Sequence, residues 1–247
     1  MEIEYKIIAV EDRAETANAL HEKIEGSKIY WDYERRGCVW NKFRALRDIS
    51  GKTTHVVMLD DDAGIINAFQ DIVPLAVQRF PDALWSFYSG QITAKERKKD
   101  TPYVVLQNYN YRGIGGCIPV KYIEGYIDFF ERECSGFTIR GKPWPHDDCA
   151  MKMYALLNRI PVMTTIPNLV KDLELKSTLG HHITKSSDCW QGYDIDARQF
   201  RTMESQMCYD SRLFDLHIKK ETPLAQRIIK EFDRQKKINR INRGRTP

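Results

Sequence analysis

Short apolar runs alternate with segments of helical periodicity through the first eighty residues of the chain. Three runs have the length and apolar content of buried strands: KIIAV (6–10), KIYW (28–31) and THVVML (54–59). Three helices are predicted after them, over residues 13–25, 38–49 and 65–80, the last with a break or kink at Pro74. Strands that alternate with crossover helices predict an α/β fold with a Rossmann-type, mostly parallel sheet flanked by helices. Ligands of such sheets bind at the carboxyl ends of the strands.

The pattern changes beyond residue 80. Strand-like runs are predicted at 83–88, 103–109 and 160–170. The stretch RGIGGCIPV (112–120) is predicted to be a glycine-rich turn that enters a helix, and PWPHDDCAMKMYALLN (143–158) a loop followed by a helix with an acidic first turn. Because there is no internal repeat and no evident linker, we expect one domain over 1–222, followed by a basic C-terminal helix and tail over 223–247.

The composition is that of a globular protein. The chain has 247 residues, 42% hydrophobic and 29% charged, which is enough for one substantial core. No apolar stretch approaches the roughly eighteen residues of a membrane span, and the N-terminal MEIEYKIIAVEDR is too acidic for a signal peptide. Six scattered cysteines form no CxxC pair, so reduced thiols are expected. These features predict a cytoplasmic protein without a membrane partner, and they leave the oligomeric state open.

The net charge of +4 comes from the C-terminus. Residues 234–247 (RQKKINRINRGRTP) carry six Lys or Arg and no acid, whereas the rest of the chain carries 32 basic and 34 acidic residues. Such a segment can bind nucleic acid or another anionic surface through phosphate attraction and counterion release. A solvated, frayed terminus explains it equally well.

Three consecutive aspartates follow the third predicted strand, in VVMLDDDAGI (56–65). Because consecutive strand residues point to opposite faces, Asp60 and Asp62 can share a face while Asp61 turns away. Two converging carboxylates form a hard-oxygen site suited to Mg²⁺ or Mn²⁺ with a phosphorylated ligand. The alternative is a set of solvated acids at a strand end.

Three further stretches could carry chemistry, and each also has a purely structural explanation. The acids of HDD (146–148) either place a general base at a helix start or complement the helix dipole. The histidines of TLGHHI (178–183) either ligate a metal or diphosphate or face solvent in a loop. The glycines of RGIGGC (112–117) either admit a ligand close to the backbone or make a tight turn.

Taken in order, these motifs make residues 5–185 resemble a GT-A-type nucleotide-sugar glycosyltransferase, and in particular phage-encoded, DNA-modifying members. The resemblance rests on VEDR (10–13), YWDYERRGCVWNKFRAL (30–46), MLDDDA (58–63), GIGGCI (114–118), HDD and IPNLVKDLELKSTLGHH (166–182). It implies an Mn²⁺ or Mg²⁺ cofactor and a UDP-sugar donor. Five residues are implied to bind the donor: Arg13, Asp32, Arg44, Asp60 and Asp61. A phage-encoded protein would act in the host cytoplasm.

The same resemblance assigns the metal and the acceptor side. Asp62 and His181 are implied as metal ligands, with His182 as the alternative histidine, and Asp148 as the catalytic base. The acceptor side would comprise four residues: Gly115, Gly116, Trp144 and Asp147. The sequence departs from the family pattern at Asp172, which stands where the family has a first histidine.

The implied reaction transfers a sugar, glucose in our expectation, to an acceptor hydroxyl with inversion. The basic tail, the loop KERKKD (95–100) and the aromatics near the acceptor side favour DNA containing a 5-hydroxymethylpyrimidine as the acceptor; these aromatics are Tyr109, Tyr111, Trp144 and Trp190. Three alternatives stay open: a transferase for a cell-surface glycan or polysaccharide, a nucleotidyltransferase, and a non-catalytic nucleic-acid-binding protein.

Overall fold

The computed structural model describes residues 1–88, 103–106, 113–134, 138–139, 142–143, 147–166, 168–173, 175, 201–203, 223–224, 226–231 and 233–234. Its strands are β1 Ile3–Ala9, β2 Lys28–Trp31, β3 His55–Asp60, β4 Ala63–Ile65, β5 Leu84–Ser86, β6 Tyr103–Leu106, β7 Gly115–Pro119, β8 Thr138–Ile139, β9 Lys142–Pro143, β10 Val162–Ile166, β11 Val170–Asp172 and β12 Arg201–Met203. Its helices are α1 Ala14–Lys23, α2 Cys38–Arg47, α3 Phe69–Arg79, α4 Ile123–Phe129 and α5 Asp147–Asn158. Short 3₁₀ turns precede α1 and α4, and a π-helical turn follows α4.

One central sheet has the strand order β12-β6-β10-β5-β7-β3-β1-β2. Strands β1, β2 and β3 are mutually parallel, as the alternation of strands and helices predicts. Strand β7 runs antiparallel between β3 and β5, β10 is parallel to β5, and β6 is antiparallel to β10. The predicted α/β fold is confirmed, with four of the seven strand pairs parallel in the described part of the sheet.

Helices cover both faces of this sheet, and strand β3 shows how the sequence separates the two faces. Val56 and Met58 pack with α2, α4 and α5, whereas Val57 and Leu59 pack with α1 and α3. The alternation follows from the period of two along a strand. Continued by one residue, it places Asp60 on the α2/α5 face.

Two predicted elements differ from the observed ones. The turn predicted at 112–120 is mostly strand β7, because Gly115 and Gly116 are small enough to lie in the buried middle of the sheet. The helix predicted over 65–80 begins later, at Phe69, because β4 occupies Ala63–Ile65. It continues through Pro74 instead of breaking, and its buried apolar face offsets the hydrogen bond that the proline cannot donate.

The C-terminal helical segment, described at 223–224, 226–231 and 233–234, packs onto the body of the protein. Leu224 and Ile228 are buried with the α4 and α5 side chains, and Arg227 pairs with Glu133 at 3.0 Å. The basic tail beyond residue 234 lies outside the described residues. None of the helices in the described ranges has the length and hydropathy that a membrane span requires.

Candidate active site

A cavity of about 300 Å³ opens where β1, β2 and β3 end. The residues that follow these strands line it: Val10 after β1, Asp32 after β2, and Asp60, Asp61 and Asp62 at the end of β3. This is the edge at which parallel α/β sheets bind ligands. The remaining lining residues are Ile8, Ala9, Asp12, Arg13, Arg35, Gly37, Cys38 and Asn41.

The three aspartates have different partners. Asp61 accepts hydrogen bonds from the Val10 backbone N–H (3.0 Å) and from Arg13 Nη1 (2.8 Å). The same Nη1 lies 2.5 Å from Asp62 Oδ2. The side chain of Asp61 is 7% exposed and that of Asp62 is 19% exposed. Asp61 is therefore held by the segment between β1 and α1, while the side chain of Asp62 is more exposed.

Asp60 points to the α2/α5 face and meets a buried lysine there. Lys42 Nζ, on α2, lies 3.0 Å from Asp60 Oδ1 and 2.9 Å from Asp147 Oδ2, the first residue of α5. It also donates to the Gly113 carbonyl oxygen at 3.3 Å. The side chain of Lys42 is 3% exposed, so one ammonium group joins the acidic end of β3 to the acidic start of α5.

Burial and neighbouring charges shift the pKa values of Asp60 and Lys42. Burial raises the pKa of Asp60, and the neighbouring Asp62 and Asp147 raise it further, although the Lys42 ammonium lowers it. For Lys42, burial lowers the pKa, but the carboxylates of Asp147 and Asp60 outweigh burial and raise it well above its ordinary value. The lysine is therefore charged at neutral pH, and a further cation near Asp60 and Asp62 would relieve the remaining repulsion between carboxylates.

Asp32 shapes the loop that borders the cavity after β2. Its Oδ1 accepts the Arg36 backbone N–H at 3.0 Å, and its Oδ2 accepts the Gly37 N–H at 2.7 Å. Gly37 has a φ of 105°, a conformation that favours glycine, and α2 begins at the next residue. Asn41 donates to the Tyr30 carbonyl at 2.6 Å, which fixes α2 against the end of β2.

The acidic pair of HDD opens helix α5, as the sequence predicts. Besides its contact with Lys42, Asp147 accepts at its backbone carbonyl a hydrogen bond from the Tyr126 hydroxyl (3.0 Å). Asp148 Oδ1 accepts the Cys149 backbone N–H at 2.8 Å, and Asp148 Oδ2 lies 3.8 Å from Lys152 Nζ. The structure thus brings Asp60 and Asp147 to one cation, with Asp148 adjacent in sequence.

Several predicted site residues lie elsewhere. Arg44 does not line the cavity itself; it donates to the Trp31 carbonyl and to Oδ1 of the cavity residue Asn41, both at 2.8 Å. Gly115 and Gly116, expected on the acceptor side, are buried within β7. Outside the described residues lie Trp144, His181, His182, Tyr109, Tyr111 and Trp190.

Lys42 and Gly113 were not anticipated from the sequence. Lys42 follows Val39 by three residues and precedes Leu46 by four, so it falls on the buried face of α2, where a lysine needs an acidic partner. This spacing was the sequence feature from which a buried, paired Lys42 could have been predicted. For Gly113, a Cβ would lie 2.9 Å from Lys42 Nζ, a steric reason that only the folded chain reveals.

The cavity offers carboxylate ligands that suit a hard divalent cation. Asp60 and Asp62 both line it, and their charges influence each other. Oxygen ligands of this kind suit Mg²⁺ and Mn²⁺. Within the described ranges, no cluster of three or more His, Cys, Asp or Glu side chains could hold a metal by itself.

Comparison with known proteins finds similarity among solved structures. No protein-family model matches the chain, and no curated protein matches it. Among solved structures, S. aureus TarS (1–349) is 14% identical, over 66% of this chain and 58% of that one, with a TM-score of 0.42. Drosophila β1,4-galactosyltransferase 7, as a mutant in complex with manganese, UDP-Gal and xylobiose, is 10% identical over 91% and 83%, with a TM-score of 0.38. The apo-form glycosyltransferase GlyE of Streptococcus pneumoniae is 12% identical over 63% and 44%, with a TM-score of 0.35.

Proposed function

We propose that the chain is a metal-dependent glycosyltransferase that transfers a sugar from a UDP-sugar to an acceptor hydroxyl. One observation carries the proposal. The acidic end of β3 and the acidic start of α5 meet at Lys42, beside a cavity at the carboxyl ends of β1, β2 and β3. In the proposed reaction, the acidic end of β3 serves the donor and the acidic start of α5 serves the acceptor.

The donor nucleotide would occupy the cavity, between the Asp32 loop and the three aspartates. Arg13 lies beside Asp61 and Asp62, so its guanidinium can face the diphosphate from the α1 side. Asp62 and His181 would hold Mn²⁺ or Mg²⁺, and the cation would supply positive charge to stabilise the leaving diphosphate. Asp60 would then contact the ribose or the sugar.

The acceptor would approach from the α5 side. In the proposed step, Asp148 takes the proton of the acceptor hydroxyl, and the oxygen forms a bond to the anomeric carbon. The bond from that carbon to the diphosphate oxygen breaks, UDP leaves, and the configuration inverts. General-base catalysis contributes about 10²- to 10⁴-fold to the rate. In a retaining enzyme Asp148 would orient the acceptor instead.

For the acceptor we propose a 5-hydroxymethylpyrimidine in DNA, with glucose as the transferred sugar. The support is the charge distribution: residues 234–247 carry six basic residues, whereas the rest of the chain is slightly acidic. A basic segment attached to a neutral body attracts a polyphosphate acceptor. A target base in a duplex would have to be flipped out of the stack to reach the cavity.

One incubation tests the function. The protein is mixed with Mn²⁺, a panel of UDP-sugars, and DNA that contains 5-hydroxymethylcytosine or 5-hydroxymethyluracil. The DNA is then digested to nucleosides, and their masses are measured by mass spectrometry. We expect a hexose-sized mass gain that Asp62→Asn and Asp148→Asn abolish or reduce by about 10²-fold or more. If no UDP-sugar is consumed with any acceptor, the glycosyltransferase proposal is wrong.

The remaining functions are separate outcomes of this incubation, of its repeat with a nucleoside triphosphate, and of a DNA-binding measurement. Hydrolysis of the UDP-sugar without a DNA product would support a glycosyltransferase whose acceptor is a glycan or polysaccharide instead of DNA. Consumption of a nucleoside triphosphate in place of a UDP-sugar indicates a nucleotidyltransferase. DNA binding that Asp62→Asn and Asp148→Asn leave unchanged, with no turnover, indicates a non-catalytic nucleic-acid-binding protein.

Removal of residues 235–247 separates a DNA acceptor from a glycan acceptor. This deletion removes five of the basic residues and retains Arg234, which pairs with Glu231. With a DNA acceptor, KM for DNA should rise and its dependence on salt should weaken, because fewer counterions are released. With a glycan acceptor, the truncated protein should keep full activity.

A further inference from the structure

Lys42 joins the ends of three separate segments beside the cavity. Within the described residues, its ammonium lies against Asp60 at the end of β3, Asp147 at the start of α5, and the Gly113 carbonyl just before β7. Two carboxylates share this single cation, and its side chain is 3% exposed. Water therefore has little access to replace any of the three contacts.

Gly113 sets the position of the ammonium. A Cβ at this residue would lie 2.9 Å from Lys42 Nζ and 3.3 Å from Asp147 Oδ2. Both atoms are at the ends of side chains, so an added methyl group would displace them without disturbing the backbone core. Glycine at position 113 therefore allows Lys42 to reach Asp147 and Asp60 together.

The body of α5 is held independently of this contact. Residues from Ala150 to Leu156 are buried among apolar side chains of α4 and β10, and these contacts fix the position of the helix on the sheet. They do not include Asp147 and Asp148, the first two residues of the first turn. The contacts of Asp147 with Lys42 and Tyr126 extend the fixed part of the helix to that turn.

We propose that Lys42 is a positioning residue that holds the start of α5, and with it Asp148, at a fixed distance from Asp60. This role rests on the proposed function, in which Asp60 serves the donor and Asp148 serves the acceptor. Lys42 itself touches neither substrate. Because transfer requires the acceptor oxygen within about 3–3.5 Å of the reacting carbon, a shift of about 1 Å at one side can cost about 10²-fold in rate.

Gly113→Ala is the sharpest test, because it leaves every charge in place and its added methyl group directly contacts only the Lys42 ammonium and the Asp147 carboxylate. We expect calorimetric binding of UDP with Mn²⁺ to stay within about 3-fold of the wild type, while kcat for transfer falls about 10- to 100-fold. Gly125→Ala is the matched control. Its Cβ would lie 2.6 Å from the Tyr154 hydroxyl, also on α5 but away from the cavity, and it should leave kcat within about 3-fold.

Lys42→Met tests the charge itself and is paired with Lys6→Met. Lys6 is an equally buried lysine that donates to the Ala45 carbonyl at the far end of α2 (2.8 Å). Both substitutions remove a buried ammonium from around the same helix, so a general loss of stability affects both proteins. Only Lys42→Met should lower kcat at a temperature where both variants are folded. Equal kcat values in the two variants would overturn the positioning role.

Crystal structures of the wild type and Gly113→Ala decide the inference without turnover. We expect the Asp148 carboxylate of the variant to be displaced from Asp60 by about 1 Å relative to the wild type, with the body of α5 unmoved. An unchanged distance would overturn the inference even if the enzyme transfers sugar. A wild-type protein that consumes no UDP-sugar overturns the proposed function, whereas the displacement still shows whether Lys42 holds the start of α5.

Discussion

Val170 of β11 packs directly over Gly115 of β7. A Cβ on Gly115 would lie 2.8 Å from Val170 Cγ2 and 3.2 Å from Leu59 Cδ2. Strand β11 in turn pairs with β4, and the next residue, Leu173, donates its backbone N–H to the Asp62 carbonyl at 2.9 Å. The glycine in the centre of the sheet therefore supports the backbone that carries Asp62.

We predict that Gly115→Ala destabilises the protein by about 1–3 kcal/mol through overpacking. Gly115→Ala combined with Val170→Ala should recover part of this loss, because the second substitution makes room for the added methyl group. Urea unfolding of the two single variants and the double variant measures the coupling. Additive free energies of unfolding would show that the two side chains do not compete for the same space.

The adjacent aspartates Asp61 and Asp62 should respond differently to the same substitution. Asp61→Asn weakens the contact with Arg13 and places an amide where two donors now point, so we expect a loss of about 1–3 kcal/mol in stability. Asp62→Asn changes a more exposed side chain and should cost less than about 1 kcal/mol. Its effect should appear in Mn²⁺-dependent UDP binding instead.

Thermal unfolding and calorimetric UDP binding of the two variants provide the comparison. Each variant serves as the control for the other, because the two substitutions remove one charge from neighbouring residues. A larger loss of stability in Asp62→Asn than in Asp61→Asn would contradict the prediction that Asp61 stabilises the folded protein more than Asp62 does.

Local periodicity was sufficient to predict the first half of the fold. The alternation of Val56, Val57, Met58 and Leu59 between the two faces of β3 also predicts that Asp60 and Asp61 diverge, as they do. It predicts as well that Asp62 shares the face of Asp60, but Asp62 contacts the same Arg13 Nη1 as Asp61, because β3 ends at Asp60 and the period of two does not continue beyond it. What the sequence could not supply was the contact between distant segments. Gly115 looked like a turn residue because its local preference is permissive, and its partner Val170 is 55 positions away in the chain. The contact between Lys42 and Asp147 could not be predicted for the same reason, because the two residues are far apart in the chain.

Asp32→Asn should act on donor affinity. Both carboxylate oxygens of Asp32 accept backbone N–H groups of the loop, and an asparagine can accept at only one of these positions. The loop should loosen at the rim of the cavity, and KM for the UDP-sugar should rise about 10-fold, which corresponds to about 1.4 kcal/mol. We expect kcat to change by less than about 3-fold, because the acceptor side is untouched.

Glu34→Gln in the same loop is the control for that prediction. Its side chain is 65% exposed and pairs at the surface with Arg36, so the substitution should leave KM unchanged. Steady-state kinetics at varied UDP-sugar concentration give both parameters. An unchanged KM in Asp32→Asn would show that the loop does not contribute to the donor site.

Glu4 should make the stability of the protein depend on acid. Burial alone would raise the pKa of Glu4, but hydrogen bonds from Thr53, Lys6 and Ser50 outweigh burial and lower the pKa from 4.5 to about 2. A carboxylate whose pKa is lower in the folded state stabilises the protein above its unfolded pKa, and this stabilisation is lost as the pH falls from about 4.5 to about 2. Glu4→Gln should therefore be less stable than the wild type at pH 7, and the difference should shrink as the pH falls from about 4.5 to about 2.

Urea unfolding at pH 7, 4 and 3 measures this difference in stability, with Glu2→Gln, an exposed neighbour in the sequence, as the control. A difference between Glu4→Gln and the wild type that stays constant across these pH values would show that the ionised carboxylate is not what stabilises the fold there.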